Sequence, residues 1–139
     1  MTLCIIPARG GSKRIPRKNI RPFNGKPMIA HSILAARSAG CFERIIVSTD
    51  DDEIAQIARQ YGADVPFVRP AKLADDFTTT GAVIAHAVGY MQQHGWHGEN
   101  ACCLYATAPF VRVEDLQQGL RQLSEQQADF AFSVTRFPF

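Results

Sequence analysis

Four apolar residues in a row, Leu3-Cys4-Ile5-Ile6, end three residues short of a glycine pair, Gly10-Gly11. Such a run reads as a buried strand, and the β-branched run Ile45-Ile46-Val47 repeats the signal of a strand covered on both faces in a parallel sheet. Between the two, Asn24-Gly25 reads as a turn and Pro27 as the first residue of a helix. Ile29, Ile33 and Ala36 share one face of that helix, and Gly40 stops it. Ser48, Thr49 or Asp50 can cap a second helix, whose acidic start (Asp51, Asp52, Glu53) suits the positive end of the dipole. Ile54, Ile57, Ala58 and Tyr61 carry its spacing, and Gly62 ends it. Val65 to Val68 reads as a short extended piece interrupted by Pro66, and 69–80 as a loop. A third helix is expected over 81–93, a strand over Ala101 to Tyr105, a helix marked by Val113, Leu116, Leu120 and Leu123, and a closing strand from Phe130 to Val134. Alternation of this kind implies right-handed crossovers and a Rossmann-like, three-layer α/β/α arrangement around a mainly parallel sheet, held in one domain over residues 1–139.

Parallel sheets of this type bind ligands beyond the carboxyl ends of their strands, which brings residues 8–19, 48–50 and 105–110 to one rim. The first of these segments is unusually basic. Of 15 Lys and Arg in the chain, seven (Arg9, Lys13, Arg14, Arg17, Lys18, Arg21, Lys26) fall between residues 9 and 26 with no acid among them. That leaves eight cations against 13 acids elsewhere, so the formal net charge of +2 conceals one cationic loop on an acidic remainder. Backbone N–H groups at a glycine turn, ringed by cations, suit a compact polyanion, and a triphosphate is the commonest such ligand. The loop has neither the G-x-x-x-x-G-K-[ST] nor the G-x-G-x-x-G spacing, which excludes the two best-known phosphate fingerprints. A nucleic-acid track is disfavoured, because Phe23 alone among aromatics interleaves with the cations. Hydrophobic content of 46% and charged content of 20% are those of an ordinary globular protein. No apolar run approaches membrane-spanning length and no charged leader precedes one, so a cytoplasmic protein is expected. Cys4, Cys41, Cys102 and Cys103 lack framework spacing and are expected to be reduced and mostly buried, with Cys102 and Cys103 pointing to opposite faces of a strand.

The stretch Ile6-Pro7-Ala8-Arg9-Gly10-Gly11-Ser12-Lys13, followed by Pro16, Lys18-Asn19-Ile20 and Gly25-Lys26-Pro27, resembles the cytidylyltransferases that activate nine-carbon 2-keto sugar acids. Ile46-Val47-Ser48-Thr49-Asp50 and Arg69-Pro70-Ala71-Lys72-Leu73-Ala74-Asp75-Asp76 agree in the same order. Within that family, Tyr105-Ala106-Thr107-Ala108-Pro109-Phe110-Val111 and Phe132-Ser133-Val134-Thr135-Arg136-Phe137-Pro138-Phe139 look most like the members that act on pseudaminic acid. The resemblance implies a fold of the nucleotide-diphospho-sugar transferase type, with CTP as substrate and Mg²⁺ as cofactor. It also implies contacts to the nucleotide from Ala8, Arg9, Gly10, Gly11, Ser12, Lys13, Asn19, Arg69 and Thr80. Lys18 and Arg9 would act on the phosphates during displacement, and Tyr105 and Thr107 would lie toward the sugar. Members that act on sialic acid carry a Gln where Tyr105 stands. A phenol in place of that amide changes both shape and hydrogen bonding, which makes N-acetylneuraminic or legionaminic acid the runner-up to pseudaminic acid. Many members also have a small residue where Arg14 stands. Family members are longer than this chain, and the resemblance puts their metal-binding acidic pair, the rest of the sugar pocket and the contacts of a homodimer beyond residue 139.

Each remaining polar cluster has an ordinary structural reading. Helix capping accounts for Asp50-Asp51-Asp52-Glu53, a turn for Asp75-Asp76, and N-capping for at least one of Thr78, Thr79 and Thr80. No metal ligand is assigned within the chain, since His31, His86, His94 and His97 form no ligand pattern with the cysteines. Two readings compete with an active cytidylyltransferase: a chain that binds CTP without turnover, and the weaker one of nucleic-acid binding through the basic loop.

Overall fold

A computed structural model describes residues 1–137; Pro138 and Phe139, the end of the last stretch of resemblance, lie outside it. Strand β1 (Thr2–Pro7) is the centre of a parallel sheet. A basic loop and a 3₁₀ turn (Lys18–Ile20) follow, then a hairpin of β2 (Pro22–Phe23) and β3 (Lys26–Pro27) around Asn24-Gly25, both with positive φ. Helix α1 (Met28–Ala39), β4 (Arg44–Ser48), α2 (Asp52–Gln60), α3 (Thr80–Gln93), β5 (Asn100–Cys103) and α4 (Val113–Glu125) complete the order. The sheet runs β4-β1-β5, with Leu3 opposite Arg44 and Pro7 opposite Ser48 on one side, and Thr2 opposite Asn100 and Ile5 opposite Cys103 on the other.

Strand β1 needs cover on both faces because Leu3, Cys4, Ile5 and Ile6 are all fully buried. The strand's period of two divides them. Cys4 and Ile6 join Ile29, Ile33, Val47, Ile54 and Ala58 in a core under α1 and α2, where Leu116 of α4 also packs. Leu3 and Ile5 face the opposite way, into Ile46, Ala87, Met91 and Trp96 beneath α3. The three-layer α/β/α expectation therefore holds.

Local departures have identifiable causes. Pro27 is the residue before α1 rather than its first, and Gly40 closes that helix at φ 64°, in the left-handed region that favours glycine. Asp51, not residues 48–50, caps α2: its side chain accepts from the Ile54 N–H at 2.9 Å. Ser48 is held in the β1–β4 ladder, so the strand runs later than its β-branched residues suggest and the cap shifts with it. Val65 to Val68 forms no ladder. A single bridge at Asp64, with the Val47 N–H bonded to the Asp64 carbonyl at 2.8 Å, ends before Pro66, which has no N–H to offer. The loop at 69–80 holds one 3₁₀ turn, Ala71–Leu73, and Thr79 caps α3. Strand β5 ends two residues earlier than expected, although the Leu104 N–H still reaches the Ile5 carbonyl at 3.0 Å.

The closing strand expected from Phe130 to Val134 is not formed. Phe130, Phe132 and Val134 alternate as a strand should, yet all are more than four-fifths exposed, because no described strand lies beside them. The thiols are free, as expected, but only Cys4 is buried. Cys41 and Cys102 are half-buried and Cys103 is exposed on a sheet edge. Among the described residues, no helix is long and apolar enough to cross a membrane.

Candidate nucleotide site

A cleft of ≈ 160 Å³ opens at the carboxyl ends of β1 and β5, lined by Pro7, Arg9, Ser12, Lys18, Asn19, Arg69, Tyr105, Ala106 and Thr107. Residues 7–19 and 105–107 meet there because they follow the carboxyl ends of adjacent parallel strands, while Arg69 is brought in from a loop by its bonds to Ser48 and Thr49; residues 48–50 themselves do not line the cleft. Seven of the residues singled out from the sequence line the cleft: Arg9, Ser12, Lys18, Asn19, Arg69, Tyr105 and Thr107. Ala8, Gly10, Gly11, Lys13 and Thr80 do not. Ala8 is buried and its N–H is bonded to the Ser48 carbonyl at 2.9 Å, so that donor belongs to the sheet. Thr80 is the first residue of α3, half-buried beside the capping Thr79.

Several polar side chains hold the rim in shape. Asn19 is buried and its amide donates to the Arg9 carbonyl at 3.0 Å, tying the two limbs of the basic loop together. Ser32, on the buried side of α1, donates to the Tyr105 carbonyl at 2.7 Å; this fixes the backbone while the Tyr105 ring stays exposed. Arg69 is 4% exposed. Its guanidinium donates to the Ser48 hydroxyl at 3.1 Å and the Ser48 carbonyl at 2.5 Å, and reaches the Leu73 carbonyl at 3.5 Å. Burial lowers its pKa, while Asp50 works in the opposite direction. A guanidinium has five N–H donors, so Arg69 keeps capacity for a further acceptor in the cleft.

The cations of the loop differ in their counter-charges. Asp76 takes Arg9 at 2.6 Å and also Lys13. Those two cations hold the Asp76 carboxyl below its ordinary range, Lys13 acting most strongly. Arg17 forks onto Asp51 at 2.5 and 3.0 Å and onto Glu53 at 2.5 Å. The Gly10 N–H donates to the Asp50 carboxylate at 2.9 Å, so one of the donors expected for an anion already has one. Lys18, Arg14, Arg21 and Lys26 have no paired acid among the described residues, and of these four Lys18 alone lines the cleft. The turn reading of Asp75 holds, since its carboxylate accepts from the Phe77 and Thr78 N–H groups at 3.0 and 2.7 Å. The bridging role of Asp76 was not legible, because it joins residues 67 positions apart.

The two glycines of the bend are not equivalent. A Cβ on Gly10 would lie 2.9 Å from Asp51 Oδ2 and 3.0 Å from Asp51 Cβ, whereas one on Gly11 meets nothing within 4 Å. Gly10→Ala is therefore expected to cost about 1–3 kcal/mol of stability by forcing Asp51 aside. Gly11→Ala should stay within about 0.5 kcal/mol in the same urea titration. Equal losses would show that the Gly10–Asp51 approach is not a constraint.

Comparison with known proteins agrees with this geometry. The family model described as Cytidylyltransferase matches residues 3–137. The chain is similar to a pseudaminic acid cytidylyltransferase of Campylobacter jejuni subsp. jejuni, 46% identical over 137 residues, covering 99% of this chain and 59% of that protein. It is also similar to the CMP-N,N'-diacetyllegionaminic acid synthase of Legionella pneumophila, 42% identical over 118 residues, covering 85% of this chain and 51% of that protein. Among solved structures, a CMP:2-keto-3-deoxy-manno-octonic acid synthetase complexed with CTP superposes with a TM-score of 0.73 at 25% identity, covering 91% of this chain and 48% of that one. The chain thus spans about half the length of these proteins. A family model that matches the chain almost from end to end, together with a fold shared with that solved synthetase, identifies the chain as a member of the cytidylyltransferase family.

Proposed function

We propose that this chain is the nucleotide-binding part of an enzyme that transfers CMP from CTP to a nine-carbon 2-keto sugar acid, releasing pyrophosphate. The observation that carries the reading is the cleft, which gathers Lys18, Arg9, Asn19 and Arg69 with Tyr105 and Thr107 at one set of strand ends. The relatives named for pseudaminic and legionaminic acids support a sugar acid as acceptor, and the match over 99% of the chain favours pseudaminic acid.

In this reading the anomeric hydroxyl of the sugar attacks the α-phosphorus, the bond from that phosphorus to the bridging oxygen of the β-phosphate breaks, and the hydroxyl proton leaves to solvent. Positioning and charge stabilisation dominate such transfers. Lys18 faces the α-phosphate with a full, uncompensated charge. Arg9 holds the outer phosphates after exchanging Asp76 for them, with Gly10, Gly11, Ser12 and Lys13 around it. Arg69 and Asn19 fix the nucleoside side, and Tyr105 and Thr107 meet the sugar.

Magnesium accompanies a triphosphate and would add positive charge to the phosphates. Among the described residues no group of His, Cys, Asp and Glu could hold a metal. Asp50, Asp51 and Asp76, the acids at the rim, already accept from a backbone N–H or pair with a cation. The residues present therefore make no metal site, and no step here depends on one. The protein would work in the cytoplasm, where CTP is made, and as a homodimer.

The test is pyrophosphate release by protein expressed from the complete gene, with CTP, Mg²⁺ and pseudaminic, N-acetylneuraminic or legionaminic acid in turn. Fastest turnover with pseudaminic acid is expected, and no turnover with any of them would overturn the assignment. The coverage of relatives favours a second reading for the 139 residues alone: they bind CTP without turning it over. Calorimetric binding without product would support that reading.

A further inference from the structure

Arg17 carries a backbone conformation that side chains seldom adopt, φ 55° and ψ 34°, directly before the turn that presents Lys18 and Asn19. A non-glycine residue in this left-handed region costs on the order of 1 kcal/mol and persists only when its surroundings hold it. Those surroundings are visible. The Arg17 carbonyl accepts from the Ile20 N–H at 3.1 Å, closing the turn, and its guanidinium reaches across to the start of α2. There it takes both oxygens of Asp51 and one of Glu53, all within 3.0 Å. Asp51 is itself fixed by its cap to the Ile54 N–H at 2.9 Å, and it leaves no room for a side chain on Gly10, where a Cβ would come within 2.9 Å of Asp51 Oδ2. The fork raises the Arg17 pKa, with Asp51 as its first cause, and holds the Asp51 carboxyl below its ordinary range, with Arg17 as first cause.

We propose that Arg17 and Asp51 form a brace that fixes the Lys18–Ile20 turn against the cleft, so that Arg17 is a positioning residue and not a ligand of the phosphates. The proposal rests on the nucleotide reading above. Two carboxylates more than balance the Arg17 charge, which leaves none for a triphosphate, whereas Lys18 one residue later has no acid of its own. The brace also lies beside the other limb of the loop: Arg17 grips Asp51, and Gly10 is bonded through its N–H to the neighbouring Asp50 carboxylate at 2.9 Å. Asn19 then closes the loop onto the Arg9 carbonyl.

Asp51→Asn separates the two roles Arg17 could have. Asparagine caps a helix as well as aspartate does, so α2 should persist while the charged fork is lost. If Arg17 is a brace, CTP affinity measured by calorimetry falls about five- to tenfold in Asp51→Asn, falls similarly in Arg17→Gln, and falls no further in the double variant, as expected for residues acting as one unit. Arg17→Lys, with the charge but not the fork, should recover part of the loss. If Arg17 served the phosphates, Asp51→Asn would release it and CTP would bind more tightly, which overturns the proposal. Amide exchange at residues 18–21 in the ligand-free protein reads the brace without CTP. Exchange about tenfold faster in both single variants is expected, and unchanged exchange overturns the brace. Wild-type protein that failed to bind CTP would remove the nucleotide reading, while the exchange result would still decide the brace.

Discussion

Lys18→Ala is expected to lower kcat for pyrophosphate release by about 10²–10³-fold in protein expressed from the complete gene, the loss typical when one preorganised donor to a developing charge is removed. The size follows from the contrast among the cations of one loop. Arg9 and Lys13 share Asp76, and Arg17 is held by Asp51 and Glu53, so each must give up a partner before serving a ligand. Lys18 lines the cleft, and among the described residues it has no such partner to give up. Its charge is therefore available at full strength from the start. Lys13→Ala should cost only a few-fold, because that side chain is mostly exposed and a single exposed ion pair is worth about 0–1 kcal/mol. The melting temperature should not move in Lys18→Ala, since nothing in the described chain bonds to its side chain. A fall in kcat of less than about threefold, against the 10²–10³ that such a donor supplies, would move the electrostatic role elsewhere.

The same contrast separates what the sequence made legible from what it did not. The sheet was legible because its signals are local: Leu3 to Ile6 and Ile45 to Val47 need burial on two faces, and the intervening helical stripes provide it. The rim followed from topology, which is why six of the seven candidates that line the cleft fall in residues 8–19 and 105–110; Arg69 came from the resemblance, and residues 48–50 do not line the cleft. Counter-charges were illegible. The excess of acids outside the basic loop says that partners exist, but assigning Asp76 to Arg9 and Lys13, or Asp51 to Arg17, needs the folded approach of segments more than thirty residues apart. The same limit explains the cap of α2. Ser48, Thr49, Asp50 and Asp51 are all competent caps in a row, and only the length of β4 selects Asp51. It explains Phe130 to Val134 as well: alternation says that a segment can be a strand, while a neighbouring strand must make it one.

The largest effect on stability is expected at Ile5. Ile5→Ala should lower the free energy of unfolding by about 2–5 kcal/mol, read in urea as a lower midpoint with an unchanged slope. Ile5 is fully buried in the central strand and packs with Leu3, Ile46, Ala87, Met91 and Trp96. That pocket is held from several sides at once. Ile5 is paired with Ile46 on one side and Cys103 on the other, α3 covers it, and the Trp96 indole is pinned by its bond to Glu43 at 3.0 Å. Walls tied in this way relax poorly, so the cavity left by the missing atoms adds to the lost transfer energy. Ile15, in the basic loop and 42% exposed, is the control: Ile15→Ala should stay within about 0.5 kcal/mol. The Ile5 carbonyl also accepts from the Leu104 N–H at 3.0 Å, the last bond between β1 and the segment that leads to Tyr105. Slackening there should separate the two sides of the cleft, so CTP affinity is expected to fall together with stability in Ile5→Ala. A variant that lost stability and kept full affinity would mean that the rim is held by Ser32, through its bond to Tyr105, rather than by the strand beneath it.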